Sequence, residues 1–277
     1  MQPSLPIRAL IIGDEILSGR RQDKHLTELI GMLGKRRLSL SEAWYVGDDP
    51  ARIEGLIHQA TQSPGLLFSF GGIGATPDDH TRACAARALG KELMLHNEGA
   101  ELIRERMREM AQHRGEEYDP LDPTEVHRLN MAVFPQGSEL IPNSYNRIPG
   151  FRYRTQNNAH LYFVPGFPVM AWPMVEWVLD TLHPDLAGSA QFEERSVIVM
   201  RAMESHLTPL MIEIERIYPD IKVFSLPSVD HPVYGRHIDL GVKGCDSSVA
   251  KAYDHMLKGL RSLGVELGPE SVRKSGA

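Results

Sequence analysis

The order of short apolar runs along this chain constrains its fold more than any other feature. Ile7–Ile12 is apolar and ends at Gly13, which suits a buried first strand. Asp23–Leu33 follows, with Leu26, Leu29, Ile30 and Leu33 at the i, i+3, i+4, i+7 spacing of an amphipathic helix. Leu38–Val46 reads as a second strand. Asp49-Pro50 then opens a helix with Ile53, Leu56, Ile57 and Ala60 on one face, and Ser63-Pro64-Gly65 breaks it. Leu66–Phe70 reads as a central parallel strand, and Thr81–Leu89 as a helix stopped by Gly90. This alternation predicts a parallel sheet with helices on both faces.

The pattern continues less regularly. Gly99–Arg114 reads as a helix, Glu125–Met131 as a short one, and Ala132–Pro135 and Leu140–Pro142 as short strands around a turn. His160–Val164 is a late strand, ended by Pro165-Gly166-Phe167-Pro168, and Val169–Leu182 is a helix. His183–Gln191 has the composition of a linker. After it come a strand at Arg195–Met200, a helix at Glu204–Ile217, strands at Ile221–Leu226 and Arg236–Val242, a helix at Ser247–Leu263 and a short strand at Val265–Leu267. That order predicts a small α+β domain of the split βαβ kind. The expected domains are 5–183 and 192–270, with the tail Ser271–Ala277 frayed.

Composition narrows the function classes. Hydrophobic residues make up 42% of the 277 and charged residues 24%, as in an ordinary globular protein. A net charge of −6 is a poor match for bulk binding to nucleic acid. Arg104, Arg106, Arg108 and Arg114 alternate with Glu101, Glu105, Glu109, Glu116 and Glu117, which predicts a solvated helix face. The 2 cysteines, Cys84 and Cys245, are far apart and fit a reducing cytoplasm. No run reaches the roughly 18 apolar residues of a membrane span, and the first residues do not resemble a signal peptide. A cytoplasmic location and no membrane partner are expected. The methionines, with Trp172 and Trp177, read as core packing.

The strongest local signal is Gly71-Gly72-Ile73-Gly74-Ala75-Thr76-Pro77-Asp78-Asp79-His80-Thr81, between a strand and a helix. Glycines let a backbone take positive φ and approach a phosphate, and loop N–H groups beside a helix start attract an anion. Gly71, Gly72, Gly74, Thr76 and Thr81 are then phosphate-binding candidates. The other reading is a tightly packed helix start capped by Asp79 or Thr81. The glycine spacing fits neither a Walker loop nor a dinucleotide fingerprint. Two acids in a row exceed what a cap needs. Beside a phosphate they repel the ligand unless a cation intervenes, which points to a divalent ion at Asp78 and Asp79.

Gly13-Asp14-Glu15-Ile16-Leu17-Ser18-Gly19 follows the first strand and Gly47-Asp48-Asp49-Pro50 the second. If the strands are parallel, these acidic turns converge on one sheet edge. Asp49-Pro50 also reads as a plain helix start. Pro165-Gly166 would close the far wall, or simply stop its strand. His25, His80 and His127 show no metal-site spacing and are expected to be surface or locally bonded residues, and no G-x-S-x-G elbow is present.

The three motifs, with Pro149-Gly150-Phe151 and Pro165-Gly166-Phe167-Pro168 in order, resemble those of the competence/damage-inducible CinA family over about residues 5–183. The amino-terminal domain of that family is of the molybdopterin-binding type. The resemblance implies a three-layer α/β/α fold with a mostly parallel sheet, followed by a small KH-like α+β domain. It implies binding of a pterin phosphate or nucleotide diphosphate, with Asp48 and Asp79 catalytic and Glu15 and Asp78 in support. Gly13, Ser18 and Gly19 join the ligand-binding set. It also implies a homo-oligomer. Phe70 stands where the superfamily commonly has Thr, and Ala75 where it has Pro. The chain ends after the small domain, so the separate deamidase activity of full-length CinA proteins is not expected.

Three functions follow as expectations. One is hydrolysis of an ADP-ribose-like diphosphate, with Mg, Mn or Co held by Asp48, Asp79 and Asp78. The second is a binding or adenylylating module for molybdopterin. The third is a non-catalytic CinA-like protein. No basic G-x-x-G loop occurs in the small domain, since Val242-Lys243-Gly244-Cys245 is not one, so no specific nucleic-acid binding is expected.

Overall fold

A computed structural model describes residues 5–186, 193–244 and 248–274. The chain divides into two compact units, Met1–Leu33 with Ser39–Pro184 and Gly34–Leu38 with Asp185–Ala277.

The strands of the first unit are β1 (Ile7–Ile12), β2 (Glu42–Val46), β3 (Gly65–Phe70), β4 (Leu93–Leu95), β5 (Val133–Pro135), β6 (Glu139–Ile141), β7 (Gly150–Arg154) and β8 (Ala159–Val164). Its helices are α1 (Asp14–Leu17), α2 (His25–Lys35), α3 (Pro50–Thr61), α4 (Thr81–Leu89), α5 (Asn97–Arg114), α6 (Pro123–Arg128) and α7 (Pro168–Trp177). Six strands form one sheet in the order β2-β1-β3-β8-β7-β6. β2, β1, β3 and β8 run parallel, and β7 and β6 add antiparallel pairs. All of β3 is buried, as a central parallel strand requires.

Alternate side chains fill opposite faces of this sheet. Leu10, Leu67, Leu161 and Phe163 pack with Ile53 and Ile57 of α3 and Cys84 and Ala85 of α4. On this side the rings of Phe134, Phe151 and Phe163 stack in sequence at 4.8 and 4.4 Å. Phe68 and Tyr162, on the other face, stack at 5.2 Å. The expected α/β architecture, parallel strands with helices around them, is therefore present.

Several local expectations need correcting. β2 starts at Glu42, not Leu38, because its ladder with β1 begins only where Arg8 meets Glu42. The short strands β5 and β6 do not pair with each other: β5 joins β4 in a separate ribbon, and β6 joins β7. Neither β4 nor β7 was expected. Trp172 and Trp177 are half-buried, not core residues. The solvated face of α5 is as expected, with Glu101 paired to Arg104 and Arg108 and Glu109 to Arg106.

The second unit contains β9 (Glu193–Met200), α8 (Glu204–Ile217), β10 (Lys222–His231), β11 (Gly235–Gly244), α9 (Ser248–Ser262) and β12 (Glu266–Lys274). Its sheet order is β10-β11-β9-β12, antiparallel throughout, the split βαβ arrangement. Val197, Val199, Leu240 and Val242 form its core with Leu207 and Ile214 of α8 and Met256 and Leu260 of α9. Ser271–Lys274 is not frayed but belongs to β12, paired along β9. Most of the linker segment, Cys245 and the last three residues lie outside the described residues. Among the described residues no helix is long and apolar enough to cross a membrane.

Candidate functional site

The carboxyl ends of β1, β2, β3 and β8 lie at one edge of the sheet, where open α/β folds place their ligands. The segments leaving those ends, with α2 and the Asn143–Pro149 loop, enclose a cavity of about 710 Å³. Gly13, Glu15, Asp48, Gly71–Thr76, Asp78, Asp79, Pro165 and Gly166 line its polar part. Ile11, Phe70, Met131, Ile148 and Met170 supply an apolar part.

The glycine loop is built for close backbone approach. Gly71 has a φ of 101° and Gly72 a φ of 70°, conformations that L side chains rarely adopt. A Cβ on Gly71 would lie 2.8 Å from the Ile12 carbonyl, and one on Gly72 would strike the Thr81 hydroxyl. Thr81 is fully buried beneath the loop, where its hydroxyl donates to the Gly71 carbonyl at 3.0 Å.

Asp79 holds the loop in shape. Its Oδ1 accepts the Gly74 N–H at 2.9 Å, and its Oδ2 accepts the Thr76 N–H at 2.8 Å and lies 2.6 Å from the Thr76 hydroxyl. Asp79 and Thr81 do not cap α4. The residue at that position is His80, which makes no side-chain capping bond. With Gly74 and Thr76 occupied, the N–H groups of Gly72, Ile73 and Ala75 have no partner among the described residues. On the outer side, His127 binds the Ala75 carbonyl and Arg82 the Gly74 carbonyl, fixing the same peptides from behind.

The first two acidic turns do converge. The Asp14 N–H donates to the Asp48 carboxylate at 3.0 Å, and the Asp48 N–H donates to the Asp14 carboxylate at 3.2 Å. Partial burial pushes the Asp48 carboxyl up from its ordinary value. The charges of Asp14, Glu15 and Asp78 add to this, and the Asp14 N–H opposes it. Asp78 is fully exposed, and the Thr76 hydroxyl beside it holds its carboxyl down. Asp49 caps α3 by accepting the Ala51 N–H at 2.9 Å, so it is a structural residue.

These carboxylates do not build a metal cage. Both oxygens of Asp79 are occupied by the loop, and among the described residues no three of His, Cys, Asp and Glu are arranged to surround an ion. Ser18 and Gly19 are exposed and do not line the cavity. Glu15 faces the cavity and pairs with Arg21 at 3.6 Å.

One site residue was misjudged from sequence. His25 is not at the surface but 5% exposed. It lines the cavity, its ring stacked on Phe70 at 4.6 Å. Its Nε2 lies 3.2 Å from the Gly166 carbonyl, which only accepts, so Nε2 carries the proton. Burial holds its pKa below the ordinary value, so the ring is neutral near pH 7. The nearby signal was Asp23, whose carboxylate accepts the N–H groups of His25 and Leu26 at the start of α2. That signal marks a helix start, not burial.

Comparison with known proteins agrees with this architecture. The family described as "Probable molybdopterin binding domain" matches residues 8–185. A CinA-like protein of Syntrophotalea carbinolica is 31% identical over 204 residues, covering 73% of this chain and 46% of that protein. A CinA-like protein of Anaeromyxobacter dehalogenans is 32% identical over 176 residues, 40% of its length. The chain thus spans about half or less of the length of these CinA-like relatives. A protein of Pyrococcus horikoshii is 30% identical over 243 residues, with 87% of this chain and 89% of that one covered. Among solved structures, a CinA protein of unknown function from Thermoplasma acidophilum shares the fold, with a TM-score of 0.54, 22% identity, and 65% of this chain and 98% of that one covered. The match over residues 8–185 places the chain in the family described as "Probable molybdopterin binding domain".

Proposed function

We propose that the cavity binds a phosphorylated pterin or nucleotide, with phosphate oxygens on the N–H groups of Gly72, Ile73 and Ala75. The observation that carries this reading is the division of labour in the loop. Asp79 takes two of the amides to set the loop's shape, and the remaining amides are left without partners beside the cavity. Such unpartnered N–H groups in a positive-φ turn are a general device for anions. The family match, to a molybdopterin-binding domain, supports a ligand of this chemistry.

Isothermal titration with inorganic pyrophosphate and ADP-ribose tests the reading. Saturable binding that weakens in Thr76→Pro, which removes the N–H held by Asp79, is expected. No binding of either compound, with or without Mg²⁺, would overturn it.

A hydrolytic reading has one specific observation in its favour. Asp48, with raised proton affinity and Asp14, Glu15 and Asp78 as neighbours, has the character of a general base. Mg²⁺ is commonly held by one or two carboxylates together with substrate phosphates, so a divalent ion would enter with the diphosphate instead of residing in the protein. It would supply neutralising charge between the phosphates and Asp48 and Asp78. Release of AMP from ADP-ribose, lost in Asp48→Asn with binding retained, is the expected result. Binding without turnover under any of Mg²⁺, Mn²⁺ or Co²⁺ would leave the chain a binding protein.

A further inference from the structure

Phe167 sits at the rim of the cavity, 56% exposed, on an otherwise rigid turn. Its carbonyl accepts the Met170 and Ala171 N–H groups at 2.9 Å, fixing it as the residue that starts α7. Gly166, just before it, is packed so closely on the glycine loop that an added Cβ would lie 3.4 Å from the Gly71 Cα. The turn that carries the ring therefore lies beside the glycine loop, and both line the same cavity. A large exposed aromatic beside a cavity, held by its backbone and not by packing of its ring, has the geometry of a stacking platform.

His25 reaches the same turn from α2. Its Nε2–H donates to the Gly166 carbonyl, its ring rests on Phe70, and its Nδ1 is buried with no partner among the described residues. Asp23 cannot serve Nδ1: with the proton on Nε2 that nitrogen only accepts, and so do the carboxylate oxygens of Asp23, which take the His25 and Leu26 amides and the Tyr45 hydroxyl. An imidazole buried for the sake of one bond to Gly166 carries a cost, which the placement of that turn accounts for. Arg21 makes the second link, its guanidinium 6.0 Å from the centre of the Phe167 ring. At that distance no ring fits between them, so a ligand stacks on the other face of Phe167 or displaces Arg21 toward its phosphates.

We infer that Phe167 is a ring-stacking subsite, positioned by His25, which selects a diphosphate carrying a planar heterocycle over a simple phosphate. The inference rests on the phosphate-binding reading above and adds which residues hold the ring end of the ligand. A purine and a pterin share the chemistry that Phe167 recognises. ADP-ribose and hydroxymethylpterin diphosphate, titrated separately, show which ring is preferred.

The test compares these two probes with inorganic pyrophosphate by isothermal titration, on wild type, Phe167→Ala, Phe167→Trp, His25→Ala and His25→Gln. Phe167→Ala is expected to weaken the preferred ring-bearing probe roughly tenfold or more and leave pyrophosphate unchanged. Phe167→Trp keeps the preference. His25→Ala is expected to lose the same preference, and His25→Gln, whose amide N–H still reaches a carbonyl, to recover it. A merely structural role for His25 would instead lower the affinity for all probes together, and overturn its assignment. Phe167→Ala with an unaltered preference, in a protein whose wild type binds pyrophosphate, would overturn the stacking subsite alone. A wild type that binds none of the probes would remove the phosphate reading and this inference with it.

Discussion

Asp79 and Thr76 meet twice: the Asp79 Oδ2 accepts the backbone N–H of Thr76, at 2.8 Å, and lies 2.6 Å from its hydroxyl, whose single proton is shared with Asp78. With Gly74 on the other oxygen, the carboxylate is a fastener for the glycine loop. Asp79→Ala is therefore expected to lower stability by about 1–3 kcal/mol, read from urea unfolding. It should also weaken pyrophosphate binding by about tenfold or more, equally with and without EDTA. A defect confined to Mg²⁺-containing buffer would instead identify Asp79 as a metal ligand.

Gly72 tests the same loop from the backbone side. Its φ of 70° and the Thr81 hydroxyl lying where a Cβ would go make Gly72→Ala costly on two counts. The left-handed conformation alone costs about 1–2 kcal/mol for an L-residue. A shift of the urea midpoint corresponding to at least that amount, together with lost pyrophosphate binding, is expected. Native stability in Gly72→Ala would mean that the loop is not held in this conformation.

Much of this architecture was legible in the chain, for identifiable reasons. Ile7–Ile12 and Leu66–Phe70 are short apolar runs because both faces of their strands are covered, and Gly90 marks the end of α4 because it takes the left-handed C-cap. β7 is a short alternation of Phe151 and Tyr153 with Arg152 and Arg154, a half-buried strand pattern that a reading for continuous apolar runs passes over. The partners of β5 and β6 depend on residues remote in sequence, which no local spacing encodes. The acidic turns were legible as candidates, since parallel strands put their tips on one edge. The engagement of Asp79 with its own loop was not, because it depends on how five residues fold back. The burial of His25 comes from Gly166, 141 positions away.

Asp48 gives the site a pH signature. Its folded carboxyl holds a proton more tightly than the unfolded one, whose ordinary value is 3.8. The stability it contributes is present below that value and is lost as pH rises through the folded pKa. Asp48→Asn, which keeps an oxygen for the Asp14 N–H, should thus gain stability relative to wild type between about pH 4 and pH 7. Urea midpoints at both ends of that range measure it. A difference that shrinks with rising pH has the wrong sign for this account.

In the second unit, Tyr253 links α9 to β9 and β12, its hydroxyl 2.9 Å from the Ser196 carbonyl and 3.1 Å from Glu270. Burial, with the Glu270 bond next, pushes its pKa well above the ordinary value. Tyr253→Phe removes the hydroxyl's bonds to the Ser196 carbonyl and Glu270 and should cost about 1–2 kcal/mol in urea unfolding. Pyrophosphate affinity should not change. A loss of affinity in this variant would show that the second unit contributes to the site.

The proposed phosphate contacts fall on three particular amides, which amide NMR of ¹⁵N-labelled protein titrated with pyrophosphate reads one by one. Saturable shifts are expected at Gly72, Ile73 and Ala75, with smaller changes at Gly74 and Thr76, whose N–H groups stay on Asp79. Saturable binding that leaves Gly72, Ile73 and Ala75 unshifted while moving amides elsewhere would contradict these contacts.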